Sequence, residues 1–193
     1  MPKLNLPNRL TVLRVLLVPC FVVFMMIESL FGLSWLPRLL AAALFGACAL
    51  TDLFDGYLAR KYGQVTDFGK FLDPIADKFM VLSAMVAFCA SGAYAYMRLW
   101  VFIATLLVIL RELAVTSIRL LMAGRNTVVA AAWPGKVKTV CQIVFVLVAM
   151  LEPVFLGASR LFTYLSLAVA VISTVLSGLS YIKHYLPILL DRA

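Results

Sequence analysis

Charge is what this sequence of 193 residues lacks: only 13% of it is Asp, Glu, Lys or Arg, against 64% hydrophobic residues. Soluble domains are roughly one quarter charged, so a water-soluble globule is excluded. Disorder is excluded as well, because disordered chains are poor in apolar residues. Cysteine is sparse. Cys20, Cys48, Cys89 and Cys141 stand singly in apolar stretches without paired spacing, which excludes a disulfide scaffold and marks them as small hydrophobes. Histidine is nearly absent: His184 sits alone between Lys183 and Tyr185, with no metal-ligand spacing. What is present is apolar sequence in long runs, with a mean hydropathy of +1.04. That composition belongs to an all-α integral membrane protein.

A membrane span needs about 20 mainly apolar residues. Six such segments are predicted, near 10–31, 37–59, 73–96, 98–121, 134–154 and 160–182, joined by short loops within one membrane domain over 1–193. Met1–Leu10 is polar and holds two prolines, so it does not read as a cleavable signal. It is expected to form a short interfacial segment, with Leu4, Leu6 and Leu10 toward the membrane and Lys3 and Arg9 toward water. Trp35, Trp100 and Trp133 fall near span ends, where interfacial anchors belong. Thirteen of the seventeen basic residues flank the spans on the side of the two termini, and only Arg38, Arg98 and Arg160 flank them on the other. The positive-inside rule then places both termini in the cytoplasm, and an even span count agrees. The net charge of +8 suits anionic headgroups or phosphorylated substrates. Its dispersal over separate loops argues against nucleic acid.

Of nine acidic residues, five fall between Asp52 and Asp77. Residues three or four apart share a helix face. Asp52, Asp55, Gly56, Ala59 and Arg60 follow that rule at the end of the second span. Gly69, Asp73 and Asp77 follow it at the start of the third. The short connection makes the two spans antiparallel neighbours, so four aspartates are expected to face one another at the cytoplasmic boundary. Asp67 lies off both stripes. Four clustered carboxylates cannot all carry charge unaided. Hard oxygen ligands select Mg²⁺, Mn²⁺ or Ca²⁺, and two such ions balance four aspartates and form a clamp for displacement at phosphorus.

The acidic stripes read Asp52, two residues, Asp55-Gly56, two, Ala59-Arg60, eight, Gly69, three, Asp73, three, Asp77. This pattern resembles the signature of the CDP-alcohol phosphatidyltransferase family, complete and ungapped. Three further stretches are similar to the family's bacterial phosphatidylglycerophosphate synthases: Leu6–Thr11 with Arg14, Arg111–Thr116 with Arg119, and Gly135–Thr139. The resemblance covers essentially the whole chain. It implies transfer of a phosphatidyl group from CDP-diacylglycerol to sn-glycerol 3-phosphate, with release of CMP, in the plasma membrane of a bacterium by a homodimer. It also implies that Asp52, Asp55, Asp73 and Asp77 bind two divalent cations, Mg²⁺ or Mn²⁺, with Asp77 as general base. Asn8, Asp52, Gly56, Ala59, Arg60 and Gly69 would lie against CDP-diacylglycerol. An N-cap role for Asn8 is the alternative.

A phosphorylated acceptor calls for a second basic cluster. Arg111, Arg119, Lys136 and Lys138 are the candidates for glycerol 3-phosphate. Arg111 lies inside the fourth span and needs a partner. Adjacent helical residues do not face one another, so that partner is expected to be a bound phosphate rather than Glu112. Lys136 and Lys138, two apart, are not expected to share a regular helix face, which points to one of them in a loop. Two other readings stay open at this level. One keeps the enzyme class with another acceptor, as in a cardiolipin synthase or a serine or inositol-phosphate transferase. The other is a divalent-cation transporter, against which the boundary position of the acids and the absence of an internal repeat both speak.

Overall fold

The computed structural model describes residues 5–31, 35–61, 66–124, 133–157 and 159–190, with the side chains of 6, 7, 28–30, 53–61, 67, 70 and 186–190 outside the description. Among the described residues the chain is helical, in six long helices: α1 (Leu6–Phe31), α2 (Leu36–Lys61), α3 (Asp67–Ala90), α4 (Arg98–Gly124), α5 (Trp133–Phe155) and α6 (Leu161–Leu190). Four apolar stretches, on α1, α4 with the turn before it, α5 and α6, are long enough to cross a membrane. The acid-bearing α2 and α3 are less uniformly apolar, though 26 and 24 residues long.

Two boundaries differ from the sequence reading. The third span, expected to run to 96, ends as a helix at Ala90. Ser91 turns to extended backbone and Gly92–Met97 forms a short 3-10 helix before α4, because the Ser-Gly pair breaks a helix that apolar content alone would continue. At the other end of the chain, α1 begins at Leu6 and runs unbroken. Residues 6–10 therefore belong to the same helix as the apolar run that follows and do not form an element of their own, and Leu4 lies outside the described residues. Asn8, inside that helix, does not cap it.

Side-chain pairs give the relative directions. Arg14 meets Asp52 while Phe21 meets Phe45, so α1 and α2 are antiparallel. Asn8 meets Thr66 while Thr11 meets Asp73, so α1 and α3 run together. Gln142 meets Thr174 while Glu152 meets Thr163, so α5 and α6 are antiparallel. Helix α1 packs against both α2 and α3, which touch each other at few places among the described residues. The acidic stripes of α2 and α3, expected to face only each other, are thus also flanked by α1.

The core is one continuous cluster reaching from Val18 to Ala170. Phe21 packs edge-on against Phe45, and Phe88 against Phe145. Large apolar side chains remain exposed along the outer faces, among them Leu106, Leu110 and Leu113 of α4 and Leu165, Val169 and Ile172 of α6. So wide an apolar surface belongs in lipid, not in water. Trp35, Trp100 and Trp133 are exposed near the starts of α2, α4 and α5.

Candidate active site

The acidic site is built on the first turns of α3. Thr66 caps that helix, its hydroxyl accepting the Gly69 amide at 3.0 Å. Asn8 of α1 donates its amide to the same hydroxyl at 2.9 Å. A Cβ on Gly69 would stand 2.8 Å from Asn8 Oδ1 and 3.2 Å from Thr66 Oγ1. Gly69 is therefore a close-approach glycine that lets α1 lie against the start of α3. The structure brings Asn8 and Gly69, both expected near the nucleotide, into direct contact with each other.

One and two turns further along α1, Thr11 and Arg14 reach the carboxylates. The Thr11 hydroxyl donates to Asp73 Oδ1 at 2.8 Å, and Arg14 Nη1 donates to Asp52 Oδ1 at 2.5 Å. Arg14 is fully buried. Neither residue was singled out as a site residue from the sequence. Their signal was spacing: Asn8, Thr11 and Arg14 recur every three residues, one helical face.

Asp52 and Asp77 line a cavity of about 840 Å³. Asp77 Oδ1 is buried with no hydrogen-bond donor among the described residues. Asp73 is held by Thr11 but does not line the cavity. The side chains of Asp55, Gly56, Ala59 and Arg60 lie outside the described residues, and among those described no three metal-ligating groups converge. What is present fits a hard divalent cation in its chemistry. The donors are carboxylate oxygens, and one of them is buried and unpaired, a costly state that a cation would relieve.

The basic candidates line the same cavity: Arg111, Arg119, Lys136 and Lys138, joined by Lys78. Here two expectations are corrected. Arg111 does bond its neighbour, with Nη1 donating to Glu112 Oε1 at 2.8 Å. Both side chains are long enough to curl from adjacent positions into one crevice. Lys138 of α5 donates to the same oxygen at 2.5 Å. Lys136 and Lys138 are both helical, within α5. They differ in face rather than in structure, Lys138 being buried and Lys136 exposed.

Helix α6 completes this end. Arg111 Nη2 donates to Ser177 Oγ at 2.5 Å, and Arg119 donates to the Tyr181 hydroxyl at 2.8 Å. Both guanidinium groups stand over the Tyr181 ring, at 5.7 and 5.5 Å from its centroid, in cation–π range. A Cβ on Gly178 would press on Arg111 Cγ at 3.2 Å. Lys78, Ser177 and Tyr181 escaped the sequence reading. A serine and a tyrosine in a span carry no chemical signal by themselves, and Lys78 is one of thirteen basic residues that flank the spans on the side of the termini. The remaining lining is largely apolar, including Leu50, Val140, Ile143, Val144 and Leu147.

The cavity thus sets carboxylates against cations beside an apolar wall, an arrangement suited to a lipid that carries phosphates. Comparison with known proteins agrees. The chain is 41% identical over 186 residues to a CDP-diacylglycerol–glycerol-3-phosphate 3-phosphatidyltransferase of Bacillus subtilis, covering 92% of this chain and 93% of that protein. It is 36% identical over 196 residues to the enzyme of the same name from Shigella flexneri, covering 98% and 100%. It is 37% identical over 182 residues to a "Probable phosphatidylglycerophosphate synthase" of Mycobacterium tuberculosis, covering 94% and 82%. Residues 4–176 match the model of one family. The chain belongs to the CDP-alcohol phosphatidyltransferase family.

Proposed function

We propose that this protein transfers the phosphatidyl group of CDP-diacylglycerol to sn-glycerol 3-phosphate, releasing CMP and forming phosphatidylglycerophosphate. The observation that carries the reading is that Asp52, Asp77, Lys78, Arg111 and Lys138 all line one cavity. One substrate brings a diphosphate that needs cations held by acids. The other brings a phosphate that needs basic side chains.

Asp52, Asp55, Asp73 and Asp77 are the residues that would hold two divalent cations, Mg²⁺ or Mn²⁺. When bound, these ions supply positive charge to the diphosphate of CDP-diacylglycerol. Arg14 and Thr11 fix the orientation of Asp52 and Asp73. Asn8, Gly56, Ala59, Arg60 and Gly69 border the nucleotide on this reading, and Arg60 suits a phosphate oxygen because its planar fork bonds two at once. Arg111 and Lys138 hold the acceptor phosphate, with Arg119 and Lys136 at the mouth. Asp77, whose Oδ1 lacks a donor, takes the proton of the acceptor hydroxyl. The freed oxygen attacks the lipid-side phosphorus, the bond to the bridging oxygen breaks, and CMP leaves.

The same reading gives six membrane crossings with cytoplasmic termini. Helices of 24 and 26 residues span roughly 36–39 Å at 1.5 Å per residue, longer than a hydrocarbon core of about 30 Å, so α2 and α3 are long enough to cross too. Thr11, Asp52, Asp73, Arg119 and Tyr181 gather at one end of the bundle. The Glu152–Thr163 and Tyr96–Tyr164 contacts lie at the other. Residues 1–193 form one domain in a bacterial plasma membrane, with the cavity toward the cytoplasm. A homodimer is what the family resemblance implies.

The test is CMP release by purified protein from CDP-diacylglycerol with Mg²⁺ or Mn²⁺ and each candidate alcohol. Release with sn-glycerol 3-phosphate is expected. Release only with serine, inositol phosphate or phosphatidylglycerol would reassign the acceptor. No release with any of them would overturn the enzyme in favour of a cation carrier.

A further inference from the structure

Glu112 is the one carboxylate at the basic end of the cavity that the reaction above does not use, and more cations converge on it than on any other acid among the described residues. Arg111 Nη1 and Lys138 Nζ donate to Oε1 at 2.8 and 2.5 Å, and Lys78 Nζ stands 3.6 Å from Oε2. These three come from different helices, α4, α5 and α3. Glu112 and Lys138 are both buried. Lys78 is tied a second time, donating to Thr116 Oγ1 at 3.0 Å. Arg111 is tied a second time to Ser177.

We propose that Glu112 is a positioning residue that gathers Arg111, Lys138 and Lys78 into one pocket and tunes its charge to a phosphomonoester dianion. This rests on the reading that the acceptor is a phosphorylated alcohol. Three cations around one carboxylate leave a surplus of two positive charges. A phosphomonoester carries about two negative charges near neutral pH. The match favours a phosphorylated alcohol over a neutral one such as free glycerol. Without the carboxylate, three cations from three helices would repel across a few ångströms of low-dielectric space, and the buried Lys138 would lose its ion-pair partner. The carboxylate thus lets the pocket exist before the acceptor arrives, and the second ties of Lys78 and Arg111 fix their directions. Glu112 occupies only part of each donor set, since an ammonium has three donors and a guanidinium five. The rest are available to an incoming phosphate.

The experiment compares wild type, Glu112→Gln and Glu112→Asp in full-length protein in detergent micelles. It measures KM for sn-glycerol 3-phosphate, KM for CDP-diacylglycerol, and competitive inhibition by inorganic phosphate. The glutamine variant is expected to raise KM for the acceptor about tenfold or more and to weaken phosphate inhibition by the same factor, as loss of one charge-assisted contact does. KM for CDP-diacylglycerol should stay within about twofold. The aspartate variant keeps the charge on a shorter stem and should recover part of the loss. If the glutamine variant does not fold, the aspartate variant alone decides, by the same split between the two KM values. An equal rise in both KM values, a fall in kcat alone, or unchanged kinetics would overturn the role of Glu112. Wild-type protein that turns over with glycerol 3-phosphate keeps the functional reading intact in all of those cases. Only wild type failing to use it overturns that reading.

Discussion

Arg14 and Asp52 form an ion pair of 2.5 Å in which the arginine side chain is wholly buried and the aspartate keeps 32% of its side-chain surface. The pair ties α1 to the acidic end of α2 and leaves Asp52 with an open edge toward the cavity. Arg14 itself does not line the cavity that Asp52 lines.

Removing that support should harm both stability and turnover. Breaking a buried pair costs roughly 3–5 kcal/mol, and the partial exposure of Asp52 puts this case at or below the lower end. Arg14→Ala is expected to lower the unfolding midpoint in detergent and to reduce activity together. Arg14→Lys, which keeps the charge without the planar fork, should fall between. Full stability in the alanine variant would show that the pair holds nothing.

Gly69→Ala tests the crossing of α1 over the start of α3. The added methyl group would meet Asn8 Oδ1 at 2.8 Å, and overpacking of this kind costs about 1–3 kcal/mol. Asn8→Ala on its own gives up the bond to Thr66. Combined with Gly69→Ala it should cost less than the two separate effects added together. Strict additivity in thermal unfolding would argue against the contact.

Asp77→Asn keeps the shape of the side chain and removes its capacity to take a proton. A general base contributes roughly 10²–10⁴-fold, so kcat is expected to fall by that order while the protein remains folded. A variant that keeps full turnover would remove the base assignment. Chelation of divalent ions from the wild type should abolish CMP release, and added Mg²⁺ or Mn²⁺ should restore it. Activity that survives chelation would rule out the metal clamp.

Arg111→Ala should separate the two substrates. Hydrogen bonds to charged groups are worth about 1.5–3 kcal/mol, roughly 10- to 100-fold in affinity. That loss is expected in KM for sn-glycerol 3-phosphate and not in KM for CDP-diacylglycerol. Arg119→Ala, on an exposed side chain bonded to Tyr181, should act in the same direction with smaller size. Equal effects on both substrates would place Arg111 elsewhere in the reaction.

The sequence by itself determined the class of molecule and the kind of chemistry. Apolar runs of about twenty residues leave few alternatives to membrane helices. Aspartates three and four apart must share a helix face, because the helical repeat is local geometry. Four acids close together along a chain so short of charge point to a candidate site without any knowledge of packing. Tertiary structure decided what those residues touch. That α1 enters the acidic site with Thr11 and Arg14, that Glu112 gathers cations from three helices, and that Ser177 and Tyr181 close the basic end all depend on contacts between residues as much as 66 positions apart. The rule that neighbours on a helix face apart failed at Arg111 and Glu112 for the same reason: it describes where Cβ atoms point, whereas long side chains bend toward the nearest opposite charge in a buried crevice. Periodicity is written along the chain. The pairing of charges across it is fixed only when the helices have packed and water has been excluded from between them.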